Sequence, residues 1–126
     1  MLKITEEDRK RIKSRIAGHK KYDKKRWGTS VGTISYEEYL EKFIAQEGLC
    51  SLTSLPMNLD SLNPEGASLD RINNDEPHTA ENTILVHRAL NLGRNDTTLE
   101  DWCRYLQMLG ILNEEWTNFL AVIDAE

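Results

Sequence analysis

The chain has 126 residues, 39% of them hydrophobic, and a formal net charge of −5. That length suits one domain with room for an appended arm. No apolar run approaches the roughly 18–20 residues that cross a bilayer, and the charged N-terminus lacks the apolar block of a signal peptide. A cytoplasmic protein with no membrane partner is therefore expected. Cys50 and Cys103 lie far apart and neither belongs to a C-x-x-C pair. This excludes a four-cysteine zinc site and argues against a disulfide framework.

The charge is uneven along the chain. Residues 1–27 hold eleven of the sixteen Lys and Arg against four acids, and the remainder holds five basic and seventeen acidic side chains. A basic arm on an acidic body suits approach to a polyanion through the arm, whereas a solvated helix face is the plain alternative. Thr5 followed by Glu6, Glu7 and Asp8 predicts a capped helix with an acidic first turn, ending near Ala17 with Gly18 as its stop. Its few apolar residues (Ile12, Ile16, Ala17) predict weak packing. The next stretch, HKKYDKKRWGTSVGT, mixes basic side chains with Tyr22 and Trp27. Such a mixture suits phosphate contacts and stacking, although Trp27 itself is expected to pack on the body.

Ser35 and Glu38 form a capping box. It opens a helix over about Tyr36 to Gln46 whose Tyr36, Tyr39, Leu40 and Phe43 recur at helical spacing and read as core. Gly48 ends it. Residues 49–57 read as an irregular knuckle and residues 58–67 as a polar loop. Two short strands follow, around Leu69 and over Thr83–Val86, and then a helix. Thr98 caps an amphipathic helix with Leu99, Trp102, Cys103, Leu106 and Leu109 on one face, stopped by Gly110. Asn113 caps a last helix with Trp116, Phe119, Leu120 and Ile123 on one face.

The polar residues of the stretch SLDRINNDEPHTAENTILVHRALNLGRND, residues 68–96, carry the candidate chemistry. Asp70 lies in an apolar strand at the edge of a polar loop, and Asn82 opens the second strand. Asn91 and Asn95, four apart, are expected one helical turn from each other with their amides toward one point. A carboxylate and amide oxygens suit a hard cation such as Mg2+. Asp and Asn are also common loop and cap residues.

Asp70-Arg71, then Asn82, then Asn91 resembles the ββα-metal motif of HNH (His-Me finger) endonucleases. The resemblance spans about residues 33–109. It includes GLCSLTSLP at 48–56, similar to a segment that precedes the motif in phage and mobile-element members, and a helix before and after. It implies an α+β fold, mainly helical, with a small ββα-metal core in residues 35–126 together with C-terminal helices. Residues 1–34 form the basic helix and arm. It also implies one Mg2+ or Mn2+ ion held by Asp70 and Asn91, with Asn95 as a further ligand, and Asn82 as the residue that pins the interstrand loop. The expected activity is metal-dependent DNA endonuclease in a bacterial or phage-infected cell. The expected DNA contacts are Lys13, Arg15, Lys20, Lys21, Lys24, Lys25, Arg26 and Arg94.

Two departures from the family pattern bear on mechanism. The family's general base is a His directly after the Asp, and here that position is Arg71, one of many LDRI variants. Arginine stays protonated and cannot accept a proton from water, but it can clamp a phosphate. His78, in the interstrand loop, is the candidate base, with solvent or a metal-bound hydroxide as the other route and an exposed loop histidine as its plain alternative. Members with a structural zinc carry two C-x-x-C pairs. The matching positions here are Cys50, Thr53, His87 and Leu90, too few ligands for a closed site. No structural zinc is expected, with Cys50 and His87 as neighbours in a small core. The alternative function is a catalytically impaired member of the fold that binds nucleic acid or a protein. A purely structural protein, with the Asp and Asn residues as caps and turn formers, is the third reading.

Overall fold

The computed structural model describes residues 3–60 and 62–126. Among them the chain forms five α-helices and one two-stranded antiparallel sheet, a mainly helical α+β fold. The order is α1 (Glu6–Trp27), α2 (Tyr36–Ala45), β1 (Ala67–Arg71), β2 (Thr83–His87), α3 (Arg88–Arg94), α4 (Leu99–Met108) and α5 (Glu114–Asp124). No helix among the described residues is long and apolar enough to cross a membrane.

The local signals at helix starts act as expected. Thr5 and Ser35 close reciprocal capping boxes with Asp8 and Glu38, while Thr98 and Asn113 accept from the backbone N–H groups of Asp101 and Trp116. Gly48 and Gly110 adopt positive φ just past α2 and α4, a conformation that costs glycine little.

The first helix differs from expectation. It continues through Gly18 to Trp27, and its left-handed stop is Gly28 at φ 82°. A single helix-interior glycine costs only about 1 kcal/mol relative to alanine, less than the helix gains by docking its second half. Ile12, Ile16, His19, Asp23 and Trp27 fall at i, i+4, i+7, i+11 and i+15 on one face. Ile12 and Ile16 enter the core, and Asp23 is fully buried. The opposite face is exposed, including Lys20, Lys21, Lys24 and Lys25.

The sheet positions everything else. Ala67 pairs with His87, Leu69 with Leu85 and Arg71 with Thr83. Side chains alternate across a strand, so Leu69 and Arg71 share one face while Ser68 and Asp70 share the other. Helix α2 braces the hairpin through Tyr39, whose hydroxyl donates to the Ala67 carbonyl, and through Gln46. The Gln46 amide accepts from Leu85 N–H and donates to Leu85 C=O, closing the free edge of β2. Leu52, Leu69, Leu85, Val86, Cys103, Leu106 and Leu120 form the centre of the core. Leu109 and Phe119, expected on buried faces, are 50% and 41% exposed. Leu109 lies at the end of α4, and of the last helix only Leu120 is fully covered.

An alanine at position 18 meets no atom within 4 Å. Gly18→Ala is therefore expected to stabilise the fold by about 0.5–1 kcal/mol, raising the thermal midpoint by a few degrees. A lowered midpoint would instead mark Gly18 as a left-handed helix stop.

Candidate functional site

The two hairpin faces carry two different polar centres. On the α3 face, Asp70 is buried at the end of β1, and Arg94 reaches back from the last turn of α3 to pair with its Oδ1. Arg94 also donates to the backbone carbonyls of Arg71, Ile72 and Thr97. It is 1% exposed. The expectation that Arg94 contacts DNA is thus overturned: its donors are committed to the interior. Burial, opposed by Arg94, pushes the Asp70 carboxyl up to about 6.

The other carboxylate oxygen of Asp70, Oδ2, is buried and has no hydrogen-bond partner. A buried acceptor without a donor is unfavourable, and a hard cation is one group that would satisfy it. Asn91 meets the same strand, its amide nitrogen donating to Ser68 Oγ at 2.7 Å and to the Leu69 carbonyl at 2.9 Å. Those bonds fix the amide and leave its oxygen as an acceptor. A carboxylate oxygen and an amide oxygen are donor types that suit Mg2+ or Mn2+. Among the described residues no cluster of three or more His, Cys, Asp or Glu side chains is suited to a metal.

Asn95 does not join Asn91 on a helical face. Helix α3 ends at Arg94, and Asn95 follows at φ 50° with an exposed side chain. Its backbone N–H still closes the last turn on the Asn91 carbonyl, and its own positive φ then takes the chain off the helical path.

Asn82 organises the loop between the strands. Its Oδ1 accepts from Asn73 N–H at 2.9 Å, while its amide nitrogen donates to the carbonyls of Asn73, Glu76 and Pro77. One buried side chain thereby ties together backbone groups of a loop that has no ladder of its own. Arg71, on the opposite face from Asp70, donates to the carbonyls of Asn74 and Glu76. Its guanidinium lies over the rings of Tyr22 and Trp27, at 5.3 and 5.5 Å. Trp27 therefore packs onto the body through Arg71.

His78 is not an exposed loop histidine; it is 7% exposed. Its Nδ1 lies 2.7 Å from Asp23 Oδ1, and its backbone N–H donates to Asp23 Oδ2 at 3.0 Å. Thr33 Oγ1 donates to the same oxygen at 2.7 Å. Burial raises the Asp23 carboxyl, but the bonds from His78 and Thr33 outweigh it, leaving the group below its usual range. Burial lowers His78, with Asp23 opposing. His19 stacks on His78 with ring centroids 4.2 Å apart and is itself lowered to about 4, first by burial and then by its neighbour His78. Sequence reasoning missed Asp23, His19 and Thr33 as site residues. Their signal was the continuation of the Ile12–Ile16 face past Gly18.

Cys50 is buried in the core, and His87 places Nε2 2.8 Å from the Pro56 carbonyl. The expected DNA-contacting side chains Lys13, Arg15, Lys20, Lys21, Lys24, Lys25 and Arg26 are exposed along α1. Lys13 lies over the Tyr36 ring, and Arg26 lies over the Trp27 ring and 3.6 Å from Asp75.

The Asp70–Arg94 pair has a defined pH signature. The folded value near 6 exceeds the ordinary 3.8, so the fold binds this proton more tightly than the unfolded chain and stability falls as pH rises between about 4 and 6. Arg94→Met leaves a buried carboxylate unpaired and is expected to cost about 3–5 kcal/mol at pH 8, less at pH 5, where the carboxyl is neutral. Urea denaturation checks both values. Asp70→Asn combined with Arg94→Met should lose less at pH 8 than Arg94→Met alone, and equal losses would remove the unpaired charge as the cause.

No family model, curated protein or solved structure matches the chain.

Proposed function

We propose that the chain is a metal-dependent DNA endonuclease of the HNH type, hydrolysing phosphodiester bonds at the β1–β2–α3 unit. The observation that carries this reading is the buried, unpartnered Oδ2 of Asp70, on the strand that the amide-fixed Asn91 meets. A hairpin running directly into a helix, with a central Asn tying the interstrand loop, adds support. In this reading Asp70 and Asn91 hold one Mg2+ or Mn2+ ion. When bound, the ion supplies Lewis-acid stabilisation of charge on the scissile phosphate and leaving oxygen. Arg94 holds Oδ1 and leaves Oδ2 free of protein donors, as partners of a ligating carboxylate do. Arg71, oriented by two loop carbonyls and two aromatic rings, grips a phosphate. His78 accepts the proton of the attacking water. The exposed basic face of α1 supplies sequence-independent attraction to the DNA backbone.

A second reading, a catalytically impaired protein of the same fold that binds nucleic acid, is favoured by Arg94. Its guanidinium already neutralises Asp70, so less negative charge remains to attract a cation.

Plasmid DNA incubated with the protein and Mg2+ or Mn2+ separates the two. The nuclease reading expects nicking or cutting that EDTA and Asp70→Ala both abolish. Binding without cleavage at any metal concentration supports the second reading. Replacing Lys20, Lys21, Lys24 and Lys25 together by Gln should weaken DNA binding and reduce the slope of log affinity against log salt by up to about 3–4. An unchanged slope would make α1 a solvated face only.

A further inference from the structure

We infer that Asp23 of the basic helix α1 is a positioning residue for His78, so that α1 completes the catalytic base of the hairpin. The inference rests on the nuclease reading and extends it to a residue 55 positions away in the chain.

The carboxylate of Asp23 is wholly enclosed in a helix that is otherwise largely solvated. Burying a charge on such a helix is unfavourable unless it is fully bonded. Asp23 meets that condition: it accepts from Thr33 Oγ1, from the backbone N–H of His78 and from the imidazole of His78. With Asp23 ionised, the 2.7 Å contact to its Oδ1 requires the proton on His78 Nδ1. Nε2 then carries the lone pair. Nε2 makes no hydrogen bond among the described residues. Among the described residues the buried side-chain atoms without a partner are Asp70 Oδ2 and Trp102 Nε1, and Nε2 is not one of them. The small exposed part of His78 therefore includes its basic nitrogen.

The ring and its backbone are both held. His19 stacks on one face, Tyr22 meets it edge-on with centroids 5.8 Å apart, and the backbone N–H of Ile34 bonds the His78 carbonyl at 2.7 Å. Tyr22 also lies under the Arg71 guanidinium. Arg71 and His78 thus share Tyr22 as a neighbour, and a phosphate gripped by Arg71 lies on the side of the hairpin that carries the imidazole. A base, an orienting carboxylate and a fixed tautomer are the parts that activate a nucleophile in unrelated hydrolases.

The step is balanced without any further reagent. Nε2 takes a proton from water as the water oxygen forms a bond to phosphorus. The P–O3′ bond breaks with its electron pair on O3′, which takes a proton from solvent. The products are a 5′-phosphate and a 3′-hydroxyl, and the imidazolium returns its proton to solvent.

Long-range 1H–15N spectra of the full chain labelled at histidine read the tautomer directly, and single-turnover cleavage of plasmid DNA reads the rate. In the wild type, His78 is expected as the Nδ1–H tautomer at pH 8, and His78→Gln should lower the cleavage rate about 10²–10⁴-fold with DNA affinity within about twofold. Asp23→Asn should shift His78 toward the Nε2–H tautomer and lower the rate at least about 10-fold while thermal melting shows a folded protein. An Nε2–H tautomer in the wild type overturns the inference. So does a wild type that cleaves while His78→Gln cleaves equally fast. Should Asp23→Asn not fold, the wild-type tautomer and the His78→Gln rate still decide. A wild type that never cleaves defeats the nuclease reading itself, and the base role with it, which is a different result from cleavage that ignores His78.

Discussion

Arg94 is the point on which the hairpin and its following segments depend. Its guanidinium joins Asp70, two carbonyls just beyond β1, and the carbonyl of Thr97 before α4. A buried ion pair gains little net energy over apolar packing, because desolvation opposes the attraction. What it provides here is placement. The carbonyls of Arg71 and Ile72 leave the sheet at its end, where no third strand could accept them into a ladder, and Arg94 supplies their donors. The same contact fixes one oxygen of Asp70 and leaves the other without a partner. Structure and chemistry therefore meet in a single side chain.

The second centre lies on the opposite face and is built from the arm. Asn82 holds the loop from within by four hydrogen bonds, while Asp23 holds it from outside through His78. Because Asp70 and Arg71 are adjacent in a strand, they project to opposite sides. One side chain faces α3 and the Arg94 guanidinium, and the next faces α1 and the aromatic rings of Tyr22 and Trp27. The basic charge of α1 is thus attached to the element that carries the polar site, rather than tethered beside it.

How much of this was legible is best seen residue by residue. Thr5, Ser35, Thr98 and Asn113 declare helix starts because capping involves atoms three residues apart, and all four act as caps. Both strands were also accessible from the residue pattern, and the pinning of the loop by Asn82 came only as what the resemblance to HNH endonucleases implies. The end of α1 was not. Gly18 is a fair local stop, and only the docking of Asp23 and Ile16 onto the body decides that the helix continues. Asn95 shows the converse: its spacing from Asn91 is helical, yet it is the cap residue, and its φ of 50° takes its side chain off the helical face.

The sequence by itself determined the helix caps, the two strands, the amphipathic helices and the order Asp70, Asn82, Asn91, because each depends on neighbours a few residues away. The tertiary structure alone decided that Arg94 is an internal partner rather than a surface cation, that Asp70 keeps one oxygen unbonded, and that His78 is held by Asp23. Those pairings join residues 24 and 55 positions apart. Burial and charge neutralisation at such separations arise only when the chain has closed on itself, so no local pattern of residue types encodes them.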